Sequence, residues 1–565
     1  MTRCLRAGLL ALILSGGSLT SGVAQEVQGG LAGAYLAARA AVLEGHHREA
    51  ALYFDRALER DPENQTLIGN AMFAHAALGD WVRAVEIAAM VPDDADGRGV
   101  VDLVNLVDLM RSDNLAAALA QIEAGHGAGP LIDGLALGWL HLGEGNMSRA
   151  TEAFEAVAAD PVLAGMAWYH LGLARAAVGD FEGAEAIFSG EAVGPLQATE
   201  RSVRAHAEIL VQLDRADAAL ELLDISTALI PDPALLALRE QIAAGETGAY
   251  DFVVSPREGL AEVFHTIARG LGTESGASLT LLYARAAHVI DPDHTEAVMY
   301  AGEILLQGEQ YDLAADTFAS VPPTNRQYPE AQMGLADALA AQDRVPEAVD
   351  VLRSVADANP SLATIQAALG DMLRRNDQCA EAIDAYTAAL DLVDTSQPRY
   401  WFVYYTRAIC NHELDNWDPA EADFRRALEL NPDQPNVLNY LGYSLVEQRR
   451  NFDEALGMIQ RAVAARPDSG FIVDSLGWVY YRLGRYEEAV EPMERAVELE
   501  PNDPVINDHL GDVYWMVGRR REAEFQWHRA LSFNPEEDEA ARIRRKLDVG
   551  LDIVLAEESQ AEGTQ

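Results

Sequence analysis

The sequence predicts an all-α protein, an α-solenoid of about fourteen stacked helical hairpins, and three observations carry that expectation. The stretch from Gly470 to Pro535 is two copies of one pattern. Val473-x2-Leu476-Gly477-x2-Tyr480, then Gly484, Ala489, Met493, Ala496 and Pro501, returns 34 residues later as Asn507-x2-Leu510-Gly511-x2-Tyr514, Gly518, Ala523, Trp527, Ala530 and Pro535. A marker alanine recurs along the chain at Ala50, Ala84, Ala118, Ala150, Ala184 and Ala219, and again at Ala314, Ala348, Ala382, Ala420, Ala455, Ala489 and Ala523, with Thr280 in its place once. A large residue follows four positions later in most copies (Phe54, Phe154, Phe188, Phe318, Tyr386, Phe424), and prolines such as Pro62, Pro292, Pro360 and Pro432 close repeats. Each copy reads as two helices. Gly477 and Ala496 are small where the helices cross, Gly484 supplies a left-handed residue, and Pro501 stops the second helix. A single hairpin has one apolar face too many, which stacking buries.

That period with this residue order resembles the tetratricopeptide repeat. The resemblance covers nearly the whole chain. It implies a superhelix whose first helices line a concave groove that grips an extended or helical peptide.

Taken in order, residues 1–24 read as a secretory signal. Arg3 and Arg6 precede the apolar run Ala7–Leu14, and Gly22-Val23-Ala24 offers a cleavage site. The run is too short to span a bilayer, and no later segment qualifies as transmembrane. Gly17 stands where a lipidated cysteine would follow Leu14-Ser15-Gly16, so no lipid anchor is expected. The expected location is the periplasm, or alternatively secretion or peripheral association with the outer membrane.

Residues 25–245 form an N-terminal segment of degenerate repeats. The step from Ala219 to Thr280 is 61 residues, the one real break. Within it, Ala234–Ala244 reads as an extra helix and Tyr250–Val254 as extended, so 246–258 is either a connector between two solenoid segments or a loop within one. Repeats resume over 259–535, with a turn-rich insertion at Asp394–Pro398. Residues 536–551 read as a capping helix and 552–565 as a polar, disordered tail. Beyond the signal only Cys379 and Cys410 remain. In an oxidising compartment they form either a bridge or two buried thiols.

Charge narrows the function classes. The chain has 42 basic and 89 acidic residues, net −47, and Lys546 is its only lysine. Such a field repels phosphate backbones and anionic headgroups, so nucleic acid is not an expected partner. No HExxH zinc helix, phosphate-loop lysine or Gly-x-Ser-x-Gly elbow is present, and Asp93-Asp94-x-Asp96 and Asp291-Pro-Asp293 read as caps and turns. Neither an enzyme nor a cofactor is expected.

The resemblance assigns inward-facing positions residue by residue. The eleventh hairpin presents Phe402, Tyr405, His412 and Glu413, and the twelfth Asn436, Asn439 and Tyr443. The thirteenth presents Phe471, Asp474, Trp478, Tyr481 and Arg482, and the last Asp508, Asp512 and Trp515. Rings beside amides and carboxylates suit peptide capture. The competing expectation is that these rings pack between hairpins. The stretches Leu438–Ser444 and Ile472–Tyr481 are also similar to exported bacterial repeat proteins, among them the lipoprotein partner of a C-terminal-processing protease. The function these resemblances imply is a non-catalytic scaffold that binds another envelope protein, a protease or an assembly factor. The alternative is a component of exopolysaccharide or cellulose export.

Overall fold

The computed structural model describes residues 30–92, 98–229, 233–246, 248–272 and 277–562. The expected signal at 1–24 and Asp93-Asp94-x-Asp96 lie outside them. The described residues form 31 α-helices, and 28 of these pair into fourteen antiparallel hairpins. Six hairpins come first. They are α1 (Leu31–Leu43) with α2 (His47–Leu58), α3 (Gln65–Leu78) with α4 (Trp81–Ala88), and α5 (Gly99–Arg111) with α6 (Leu115–Glu123). Then come α7 (Pro130–Gly143) with α8 (Met147–Ala158), α9 (Ala164–Ala177) with α10 (Phe181–Phe188), and α11 (Glu200–Gln212) with α12 (Ala216–Leu229). A single helix α13 (Pro233–Ala243) follows, where an extra helix is expected. Hairpin 7 is α14 (Pro256–Leu271) with α15 (Ala277–Ile290), and hairpin 8 is α16 (Thr295–Gln307) with α17 (Tyr311–Ala319).

Hairpins 9 to 14 are α18 (Tyr328–Ala341) with α19 (Val345–Ala358), α20 (Ala363–Arg375) with α21 (Cys379–Asp391), and α22 (Trp401–Glu413) with α23 (Trp417–Leu430). After them come α24 (Pro435–Glu447) with α25 (Phe452–Ala465), α26 (Gly470–Arg482) with α27 (Tyr486–Leu499), and α28 (Pro504–Met516) with α29 (Arg520–Ser532). The chain closes with α30 (Glu537–Val549) and α31 (Leu551–Glu562).

The marker alanines are the crossing points, and each is buried to 1% exposure or less. Four residues on, the large side chain fills the space left by a glycine of the first helix. A Cβ added to Gly138 would lie 2.3 Å from the Phe154 ring, to Gly302 2.4 Å from Phe318, and to Gly511 2.5 Å from Trp527. The same holds for Gly477 against Met493, at 2.6 Å. The turn inside each hairpin needs one left-handed residue. Gly484 supplies it at φ 71°, whereas other hairpins use Asp343, Asp377 and Asp415, because aspartate tolerates that region better than other side chains.

The chain divides into two compact units at Val321/Pro322, and the 246–258 stretch lies within the first. In the first unit, hairpin 7 folds back. Helix α14 packs on α5, α7 and α9, and α15 on α3 and α5, all of them first helices of earlier hairpins. Leu260, Ala261, Val263 and Phe264 are fully buried there. A Cβ on Gly259 would sit 2.1 Å from the Trp139 indole, so glycine lets α14 lie directly on α7. The stretch Tyr250–Val254 is not a strand. Tyr250, Phe252 and Val253 are buried, and the Arg201 and Arg204 guanidinium groups lie 4.5 and 5.1 Å from the Phe252 ring.

In the second unit Cys379 and Cys410 are disulfide-bonded, with Cα atoms 4.9 Å apart, tying α21 to α22. The expected capping helix is α30. The expected disordered tail is instead helical through Glu562, because Leu551 and Val554 are buried and Leu555 packs beside them on the last hairpin's core.

Candidate partner-binding groove

The first helices of hairpins 11 to 14 carry the residues expected to line a groove, and the structure splits them into a covered and an open set. The covered set lies on α26 and α28. Trp478 and Tyr481 are each 8% exposed, Trp515 9%, and Asp474 and Asp512 0%. Trp478 stacks on Tyr481 at 4.8 Å and on His509 at 3.9 Å between ring centroids, and its indole donates to Glu447 at 2.7 Å. Arg482 also pairs with Glu447, at 3.1 Å. Asp474 holds His509 Nδ1 at 3.0 Å. Trp478, Tyr481, Trp515, Asp474 and Asp512, expected from register to meet a ligand, are interior instead, while Arg482 at their edge is half-buried.

Trp478 and Asp474 are thus packed between hairpins, the competing expectation, by Tyr481, His509 and Glu447, whereas Trp515, Asp508 and Asp512 are covered by α30 and α31. Lys546, fully buried, places its Nζ 2.7 Å from Asp508 and 2.6 Å from Asp512, and Arg542 lies 3.6 and 3.5 Å from the same carboxylates. Asp512 also accepts from the Trp527 indole at 3.0 Å. Two buried carboxylates four residues apart on one helix face would repel strongly without such cations. Burial and the Asp512 charge still raise the Asp508 carboxyl, against the pull of Lys546. For His509, burial works against the charge, but Asp474 outweighs it and holds the imidazole above its ordinary value. A Cβ on Gly550, at φ 88°, would touch the Trp515 ring at 2.7 Å, so the α30–α31 turn seats on that ring.

The open set lies on α22, α24 and the start of α26. Phe402 is 43% exposed and Phe471 44%, and Asn436 between them is exposed. These three share one register position on consecutive first helices. One turn on, Tyr405 and Asn439 are half-buried. Asn439 Oδ1 is shielded from solvent and has no hydrogen-bond donor. Tyr405 leans on Trp401 and meets Tyr440 edge-on. His412 is half-buried, bonds the Tyr440 hydroxyl at 3.2 Å, and is pushed down by burial, while Glu413 beside it is exposed. Tyr443 is half-buried and joins the packing on both sides.

Arg374 and Trp401, beside Tyr405 on this open face, and the polar core of the first unit carry no repeat signature that register would pick out. There Glu262 of α14 is 1% exposed and accepts from the Tyr169 hydroxyl at 2.8 Å, Arg201 Nε at 3.0 Å and His294 Nε2 at 3.1 Å. Arg201 also reaches Glu296 at 2.7 Å. Burial alone would raise the Glu262 carboxyl, but Arg201 and His294 hold it well below its ordinary range. The clue in the sequence is a lone glutamate amid apolar neighbours, Gly259-Leu-Ala-Glu-Val-Phe264.

Comparison with known proteins agrees with the hairpin architecture. One tetratricopeptide repeat model matches residues 135–195, 276–330, 324–363, 367–435 and 439–504, and a second matches 41–103. A TPR repeat-containing protein of Pseudomonas aeruginosa, PA4667, is 35% identical over 81 residues, 14% of this chain and 14% of that protein. The chain thus spans about one seventh of the curated relative it matches. Among solved structures, the APC/C hetero-tetramer Cut9–Hcn1 is matched over 93% of this chain and 96% of that one, at 15% identity and a TM-score of 0.39. A tetratricopeptide repeat protein from Parabacteroides merdae is matched over 45% of this chain and 98% of its own, at 17% identity and a TM-score of 0.37. The matched repeats cover more than half of the 565 residues, and the chain belongs to the tetratricopeptide repeat family.

Proposed function

We propose that this protein is an exported, non-catalytic scaffold that binds another cell-envelope protein through the open face of hairpins 10 to 13. Tetratricopeptide repeats are protein–protein interaction modules. The observation that carries the site is the pair of exposed rings, Phe402 and Phe471, flanking Asn436 at one register position. Around them lie the half-buried Tyr405 and Asn439. Large rings left in water beside side-chain amides supply the area and the hydrogen-bonding groups that anchor a peptide backbone. Trp478, Tyr481 and Trp515 drop out of the site because they are interior. Export rests on the N-terminal signature of Arg3, Arg6, the apolar run and Ala24.

The test is crosslinked capture from envelope extract with the full chain and three variants. Phe402→Ala and Phe471→Ala should each weaken capture by about 2 kcal/mol, as central aromatic anchors do. Phe525→Ala, which removes a ring 62% exposed on the second helix α29, should leave capture unchanged. Equal capture by all three variants would place the partner elsewhere. N-terminal sequencing of the native protein should begin at Gln25, and an intact Met1 would contradict export.

A further inference from the structure

We infer that the open face of hairpins 10 to 12 receives an amphipathic helix of its partner, gripping a carboxylate set within that helix's apolar side. This rests on the reading of that face as the partner site and names what it recognises.

Arg374, near the end of α20, is half-buried, and its Nε is shielded from solvent without a hydrogen-bond partner. Among the described residues no carboxylate lies in ion-pair range of its guanidinium. Asp371, one turn earlier, accepts from the Tyr386 hydroxyl at 2.7 Å instead. Arg201, Arg204 and Arg407 are shielded and paired, with Glu262, Glu208 and Asp423, whereas Arg285 of the first unit, like Arg374, keeps a shielded Nε without a partner and bonds the Thr317 hydroxyl. Arg374 is close enough to Tyr405 that it opposes the upward push of burial on that hydroxyl. A shielded guanidinium with an unused donor is costly, and an arriving carboxylate relieves that cost through a charge-assisted bond. An uncharged glycan would leave it unrelieved.

The first unit shows this protein already solving that problem. Its groove is filled by α14, an amphipathic helix whose Glu262 sits among Leu260, Ala261, Val263 and Phe264. Arg201 of α11 and Tyr169 of α9, on neighbouring first helices, take that carboxylate. The second unit offers the same residue types from neighbouring first helices, Arg374 of α20 and Tyr405 of α22, while Asp371, an acid the Arg374 charge acts on, is bonded to the Tyr386 hydroxyl. What α14 does inside the first groove, a partner helix does on the second. Asn439 Oδ1, without a donor, takes one from the ligand.

The probe is a fluorescent synthetic peptide of α14, Pro256–Leu271, and the same peptide with Glu262→Gln, titrated by anisotropy into the full chain. The glutamate peptide should bind wild type about tenfold more tightly than the glutamine peptide. Arg374→Gln should erase that difference, and Phe402→Ala should weaken both peptides alike. Thermal melting of each variant establishes that it folds. No binding, equal binding of the two peptides, or a difference that survives Arg374→Gln overturns the inference. Equal binding that Phe402→Ala still weakens would leave the groove as the partner site and reject only the carboxylate. Indifference to Phe402→Ala would reject the groove itself.

Discussion

The two units build the same hairpins and put their inner faces to opposite use. In the first, the faces of α3, α5, α7 and α9 are covered by the chain's own hairpin 7 and become core. In the second, α30 and α31 cover only the last hairpins, and Phe402, Asn436 and Phe471 stay in water. Both coverings are fastened the same way, by a buried ion network: Glu262 with Arg201 and His294 in one, Lys546 with Asp508 and Asp512 in the other. A solenoid face is therefore neither core nor binding surface by its own residues alone. What else the chain lays across it decides.

The largest expected effect comes from unfastening the cap. Lys546→Met keeps the length of the side chain but leaves Asp508 and Asp512 buried with only Arg542 nearby. Denaturant unfolding of the second unit should show a loss of about 3–5 kcal/mol, as for other broken buried pairs. A loss under about 1 kcal/mol would mean water already reaches those carboxylates. Trp478→Ala belongs in the same range, about 3–5 kcal/mol, because the ring is sandwiched between Tyr481 and His509. A variant that melts like wild type would return Trp478 to the ligand-facing set.

Unseating the covering of the first groove should cost less. Gly259→Val drives a branched side chain into the Trp139 indole, and overpacking of this kind costs about 1–3 kcal/mol. The effect should be confined to the first unit, and limited proteolysis should then cut near the 246–258 stretch. Unchanged stability and proteolysis would mean α14 does not lie on α7.

Acidity separates the units by direction. His509 has its folded value raised, so its contribution is complete below about pH 6.5, the ordinary imidazole value, and is lost as pH rises through the folded value. Glu262 has its folded value lowered, so its contribution is present above about pH 4.5 and is lost as pH falls. Mild alkali should therefore weaken the second unit and acid the first. His509→Gln should flatten the alkaline arm, and an unaltered arm would assign it to other groups.

Much of this architecture is legible in the sequence because it is local. The marker alanines, the glycine facing a large residue, the left-handed turn and the helix stop all lie within one 34-residue copy, and Cys379 and Cys410 lie on successive helices. The register also says which side chains face inward. It does not say what covers them. The return of hairpin 7 onto α7 depends on contacts more than a hundred residues apart, such as Gly259 with Trp139. Position alone cannot reveal that Trp515 lies under a cap, or that Trp478 stacks on Tyr481 and His509 instead of facing a ligand. The traces of that cap are a single lysine in an arginine-rich chain and the apolar Leu551, Val554 and Leu555 in an otherwise polar tail.

The contrast between a filled and an open groove is tested most directly by hydroxyl-radical footprinting of the intact protein, read side chain by side chain. Phe402 and Phe471 should be oxidised rapidly. Trp139, Tyr169 and Phe264 around the seated α14, with Trp478 between hairpins and Trp515 under the cap, should stay protected until the protein unfolds. Oxidation of Phe264 and Tyr169 at the rate of Phe402 would show that hairpin 7 does not fill the first groove, and the contrast between the two units would fail.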